Sequence, residues 1–139
     1  MRFLSEEWLA FRLRRSAGFT LVEGVDIRMQ HVVSGVPGAE SEDGLVRYYD
    51  EVEGGRLARS GLGTIENPDF TLHNTIEDEI GVYRGDVDPY LVIVEGRVKV
   101  DGDHGMLLSF LPMLQYHSQE LTDIALELLQ VAHEPSSRP

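Results

Sequence analysis

The chain has 139 residues, 42% of them hydrophobic, which suits one domain, residues 1–139, with a single sizeable core. Its 24 acidic against 12 basic side chains give a formal net charge of −12, which argues against nucleic acid as a partner because phosphate binding needs clustered Lys and Arg. There is no cysteine, and so no disulfide framework, thiolate metal site or thiol nucleophile.

A helix is expected first, over residues 5–15. Ser5 can cap it, Glu6 and Glu7 fill its first turn, and Leu4, Trp8, Phe11 with Leu9, Leu13 recur at helical spacing until Gly18. Arg12, Arg14 and Arg15 suit its C-terminal end on dipole grounds. The acids near the N-terminus stand where a signal peptide would be apolar. The longest nearly apolar run, Met106 to Leu114, falls well short of the roughly 20 residues of a membrane span. A cytoplasmic protein without stable membrane insertion is therefore expected.

From Asp26 to Ser34 the pattern alternates, placing Ile27, Met29, His31 and Val33 on one strand face and Arg28, Gln30 and Val32 on the other. Residues 34–44 read as a loop. Leu45 to Val52 reads as a strand, turned by Glu53-Gly54-Gly55 into Arg56 to Leu62. Asp69 to Thr75 alternates again. With no long helix between these strands, the sheet is expected to be largely antiparallel.

The period then changes. Thr75-Ile76-Glu77-Asp78 resembles a capping box, Ile76, Ile80 and Tyr83 follow at helical spacing, and Gly85 supplies the stop. Residues 88–96 read two ways. Asp88-Pro89 is a helix start, whereas the β-branched Val92-Ile93-Val94 favours a strand. Arg97 to Asp101 alternates. From Met106 apolar residues return to helical spacing, with a kink expected at Pro112. A last helix, 118–132, carries the stripe Leu121, Ile124, Ala125, Leu128 and Leu129. The fold class is α+β, a single sheet of about five mostly antiparallel strands with helices packed on one face.

Chemical motifs are sparse. The five histidines show no metal-binding spacing, so no metal and no cofactor are expected, and no nucleophile elbow or phosphate loop is present. His31 is the titratable residue on an otherwise apolar strand face. It reads as a hydrogen-bonded core histidine or, were the protein an enzyme, as its base.

Asp69-Phe70-Thr71-Leu72, Gly85, Asp88-Pro89 and the stretch GRVKVDGD from Gly96 to Asp103 together resemble the sterol carrier protein-2 (sterol-binding domain) family, over a core of residues 21–114. The resemblance implies a helix over 89–95, a strand at RVKV alone, and an apolar cavity between sheet and helices. Val92 and Leu107 stand where the family usually has small residues, which implies a narrower or reshaped cavity. On their own, Trp8, Phe11, Ile80, Tyr90, Val94, Met106, Phe110, Leu114, Leu121 and Ile124 would simply pack as core. The resemblance makes them the expected wall of a tunnel for a lipid, with helix 118–132 as its lid. The function so implied is a non-enzymatic carrier of a fatty-acyl, isoprenoid or sterol-like molecule. Kept beside it are a small pocket enzyme of isomerase or cyclase type, and an accessory module binding a protein partner through its acidic surface.

Overall fold

The computed structural model describes residues 1–39, 41–110 and 119–133, the side chains of Phe110 and His133 excepted. Within these the order is α1 (Glu6–Ser16), β1 (Ile27–Ser34), β2 (Val46–Glu53), β3 (Arg56–Leu62), β4 (Phe70–Thr75), α2 (Ile76–Arg84), α3 (Pro89–Val94), β5 (Lys99–Gly102), α4 (His104–Phe110) and α5 (Gln119–His133). The strands form one sheet in the order β3-β2-β1-β4-β5. The α+β class and the mostly antiparallel sheet expected from sequence are both found. The exception is β1–β4, which pairs in parallel. The kink expected at Pro112 lies outside the described residues.

Local chemistry sets most boundaries. Ser5 Oγ accepts from the Trp8 N–H at 3.1 Å and so caps α1. Gly54 and Gly55 both have positive φ, which lets two residues turn β2 into β3. Gly55 has a second reason to be glycine, since a Cβ there would collide with the Val22 carbonyl.

The parallel pairing needs a crossover, and here no helix provides it. Residues 63–69 cross the sheet on the face away from the helices, held by Gln30. Its buried amide donates to the carbonyls of Tyr48 and Gly63, both at 3.0 Å, and accepts from the Ile65 N–H at 2.8 Å. The chain then enters β4, where the Asp69 N–H meets the Arg28 carbonyl at 2.8 Å.

The segment with two readings is helical over Pro89–Val94. Asp88 Oδ1 accepts from the Tyr90 N–H at 2.9 Å, and Pro89 occupies the first turn. Gly96 in a left-handed conformation lets Arg97 N–H reach the Val92 carbonyl at 2.9 Å. Three β-branched residues cost a helix only about 0.5 kcal/mol each. The cap is worth about 1 kcal/mol and burying Val92 about 2 kcal/mol, so the helix wins. The strand that follows begins at Lys99, later than the alternation suggested. Gly102 ends it where a Cβ would lie 2.7 Å from the Asp69 carbonyl oxygen, and Asp103 Oδ1 accepts from the Met106 N–H at 2.8 Å to start α4.

On the helix face, strand register aligns Ser60, Asp50, Met29 and Phe70 in one row and Tyr48, His31, Leu72 and Val100 in the next. Two hydrophobic clusters flank these rows. One centres on Leu4, Trp8, Leu9, Phe19, Val33, Ile124 and Leu128, the other on Val22, Ile27, Val52, Leu57, Phe70 and Leu107.

Candidate functional site

A cavity of about 240 Å³ lies between the sheet and the helices. Its apolar wall is Met29 of β1, Leu72 of β4, Val82 of α2, Pro89, Val92 and Ile93 of α3, Val98, Leu107 of α4, and Leu21. The remaining wall is polar: Arg12 of α1, His31 of β1, Tyr48 and Asp50 of β2, Asn74 of β4, and Asp78, Glu79 and Tyr83 of α2. Val92 and Leu107, flagged from sequence as bulky substitutions, both face this space.

Apart from Asp78, which pairs with Arg97, the polar wall is one network of hydrogen bonds and ring stacking. Arg12 and Asp50 form a buried ion pair through Arg12 Nη2 and Asp50 Oδ1. Arg12 also donates to Ser60 Oγ at 2.9 Å and to Tyr83 Oη at 3.2 Å. Ser60 Oγ donates to Asp50 Oδ1 at 2.8 Å, and His31 Nε2 lies 3.1 Å from Asp50 Oδ2. The Tyr48 ring stacks on His31 with centroids 4.3 Å apart, while its hydroxyl donates to Glu79 Oε2 at 2.5 Å. Asn74 Nδ2 donates to Glu79 Oε1 at 2.7 Å.

Electrostatics follow from this geometry. Burial opposes ionisation of Asp50, but the Arg12 charge and the His31 and Ser60 hydrogen bonds outweigh it and hold the carboxyl well below the usual range. Burial, then the Glu79 charge, raises the Tyr48 phenol well above its ordinary value. Burial pushes Tyr83 up to about 12 against the pull of Arg12. Both phenols are therefore neutral at neutral pH, Tyr48 donating to Glu79 and Tyr83 accepting from Arg12. An ionised Asp50 can only accept, so His31 Nε2 donates to its Oδ2. Among the described residues no serine, threonine or cysteine lines the cavity, so covalent acyl transfer finds no nucleophile of these types there.

None of the described apolar residues assigned to the tunnel from sequence lines this cavity. Trp8 and Ile124 are buried in the first cluster, with Phe11, Ile80 and Leu121 packed against it. Met106 packs on the second cluster. Tyr90 and Val94 are 36% and 58% exposed. Val94 borders a surface hollow of about 550 Å³ that shares Ile93, Val98 and Leu107 with the cavity. Leu121 borders another hollow beside Pro89. The Phe110 side chain and Leu114 lie outside the described residues. Helix α5, expected as a lid, is keyed into the core: the Trp8 indole donates to the Leu128 carbonyl at 3.0 Å. His31 does line the cavity. Arg12, Asp50, Asn74 and Glu79 were missed, although two signals were present. Arg12 follows Trp8 by four residues on a helix, and Asp50 follows Tyr48 by two on a strand, so each pair shares a face.

Among the described residues no helix is long and apolar enough to cross a membrane, and no group of His, Cys, Asp or Glu is arranged to hold a metal ion. No family model and no curated protein matches the chain by sequence. Solved structures match by fold. A conserved hypothetical protein from Thermus thermophilus, suggested to be a sterol carrier protein, aligns over 99% of this chain and 95% of its own, with a TM-score of 0.70 at 15% identity. A crystal structure of sterol carrier protein 2 aligns over 97% of this chain and 100% of its own, with a TM-score of 0.61 at 16% identity. Palmitated sterol carrier protein 2-like 2 from Aedes aegypti aligns over 96% of this chain and 99% of its own, with a TM-score of 0.51 at 15% identity. On these alignments the chain has the sterol carrier protein 2 fold, built here as a five-stranded mixed sheet with helices packed on it.

Proposed function

We propose that the protein is a cytoplasmic lipid carrier that holds one medium-length apolar chain in the cavity between sheet and helices. The observation that carries this reading is the cavity itself, apolar along α3, α4 and the sheet, in a fold whose solved neighbours include a palmitated protein. Size narrows the guest. A cavity of roughly 150 Å³ accepts a single benzene ring, so one of about 240 Å³ has room for a flexible chain and is small for a fused four-ring body. About ten methylenes would give on the order of 8 kcal/mol gross, and ordering costs reduce that to micromolar affinity or weaker. A longer chain would have to pass the partition of Ile93, Val98 and Leu107 into the adjoining hollow.

A second reading, general-base chemistry, is favoured by the contact between His31 and Asp50 in the same wall. One experiment separates the two. Native mass spectrometry of freshly purified protein should show a bound lipid, and a lipid added and then extracted after incubation should return unchanged. A chemically altered lipid supports the second reading, and empty protein in repeated preparations that also fails to take up added lipid counts against both. Ile93→Trp, which projects an indole into the cavity, should weaken uptake of an alkyl fluorescent probe by about tenfold or more while the circular dichroism spectrum stays the same.

A further inference from the structure

We infer that the polar end of the cavity selects an uncharged hydroxyl head on the apolar chain. This rests on the lipid-binding reading and narrows it to a chemical class. The starting point is the orientation of Asn74. Its Nδ2 donates to Glu79 Oε1 at 2.7 Å, while Glu79 Oε2 already accepts from Tyr48. Turning the amide over would set two acceptor oxygens face to face, so Glu79 fixes it. Asn74 Oδ1 is then left buried with no partner, and Arg12 Nε is left buried in the same condition. Both residues line the cavity.

One of these atoms is an acceptor and the other a donor. An alcohol head both donates and accepts, so its single oxygen has the chemistry to serve either. A carboxylate offers nothing to Asn74 Oδ1. It would also enter a wall that contains Asp50, Asp78 and Glu79, where Arg12 is already paired with Asp50 and Asp78 with Arg97. Glu79 is held by the neutral donors Tyr48 and Asn74, so its charge faces any incoming anion. An ammonium would satisfy Asn74, but it could accept nothing from Arg12 Nε and would give up its hydration shell to a wall in which Glu79 is already held by Tyr48 and Asn74.

The test uses the full chain and four probes that share a twelve-carbon chain: dodecanol, dodecyl methyl ether, dodecanoate and dodecylammonium. Each competes with a polarity-sensitive dye near neutral pH. Dodecanol should bind about tenfold tighter than the ether, which accepts but cannot donate and so leaves Asn74 Oδ1 unpaired. It should also outbind both charged probes. In a folded Asn74→Leu protein the advantage of alcohol over ether should vanish. Should that variant fail to fold, the comparison of probes on the unaltered protein decides alone. Binding of the ether or either charged probe as tightly as the alcohol overturns the hydroxyl inference and leaves the carrier reading standing. If none of the probes binds, the carrier reading falls and takes this inference with it.

Discussion

Replacing Asp50 by alanine is expected to destabilise the protein by about 3–5 kcal/mol, because it strands the Arg12 guanidinium without a counter-ion inside the fold. Arg12 is 8% exposed and Asp50 4%, so water cannot take over the lost contact. The urea midpoint, followed by the fluorescence of the single tryptophan, measures the loss directly. Removing both charges at once should cost far less: an Arg12→Met, Asp50→Leu double variant is expected to recover most of the stability, since neither desolvated ion remains. The same pair sets an acid limit. Asp50 has its pKa depressed in the folded state, so the unfolded chain takes up the proton first as the pH falls. Its contribution is complete above the ordinary carboxylate range and fades from about pH 5 downward, continuing to drop as the folded-state value is approached. Melting temperature should therefore decline on acidification, and the decline should be shallower in Asp50→Ala.

Trp8→Ala is expected to cost a comparable amount, about 3–5 kcal/mol, by a different route. Trp8 is fully buried and packs edge-on against Phe3 at 4.7 Å and Tyr83 at 5.7 Å. Its indole N–H also ties α1 to the backbone of α5 through Leu128. Truncation removes a large apolar surface and leaves a cavity where α1, α2 and α5 meet. Trp8→Phe keeps most of the ring packing but removes the indole donor to the Leu128 carbonyl, which keeps its place in the α5 backbone ladder, a loss of about 0.5–1.5 kcal/mol. Hydrogen exchange should localise the damage. Amides of α5 should lose protection ahead of those in β1 and β2, because the sheet ladder does not depend on the indole.

How much of this could be read in advance divides along physical lines. Caps, the Gly54-Gly55 turn and strand alternation are local signals, and α1, β1, the hairpin and α2 follow from them with boundaries shifted by a residue or two. The segment 88–96 needed a choice between a cap and side-chain propensity, which local rules alone left open. The cavity was less legible because a void is defined by where side chains do not reach. Large apolar residues at helical spacing attract attention, yet Trp8 and Ile124 occupy the solid core, while the hollow is bounded by Met29, Leu72, Val92 and Val98. Its polar wall joins residues from α1, β1, β2, β4 and α2, a meeting that only the sheet register creates.

The diagonal path of residues 63–69 behind the sheet bears on how the molecule comes together. Strands β1, β2 and β3 are neighbours in sequence as well as in space, so they can zip with little loop-closure entropy. β4 can dock beside β1 only after the chain has doubled back across the finished meander and hooked onto Gln30, a long-range step that topology makes slow. Most of the cavity wall arrives with that step, since Leu72, Asn74 and the elements after them supply its far side. The cavity is thus expected to close late in folding, and a chain arrested before the docking would expose the inner surface of the meander with its far wall still unbuilt.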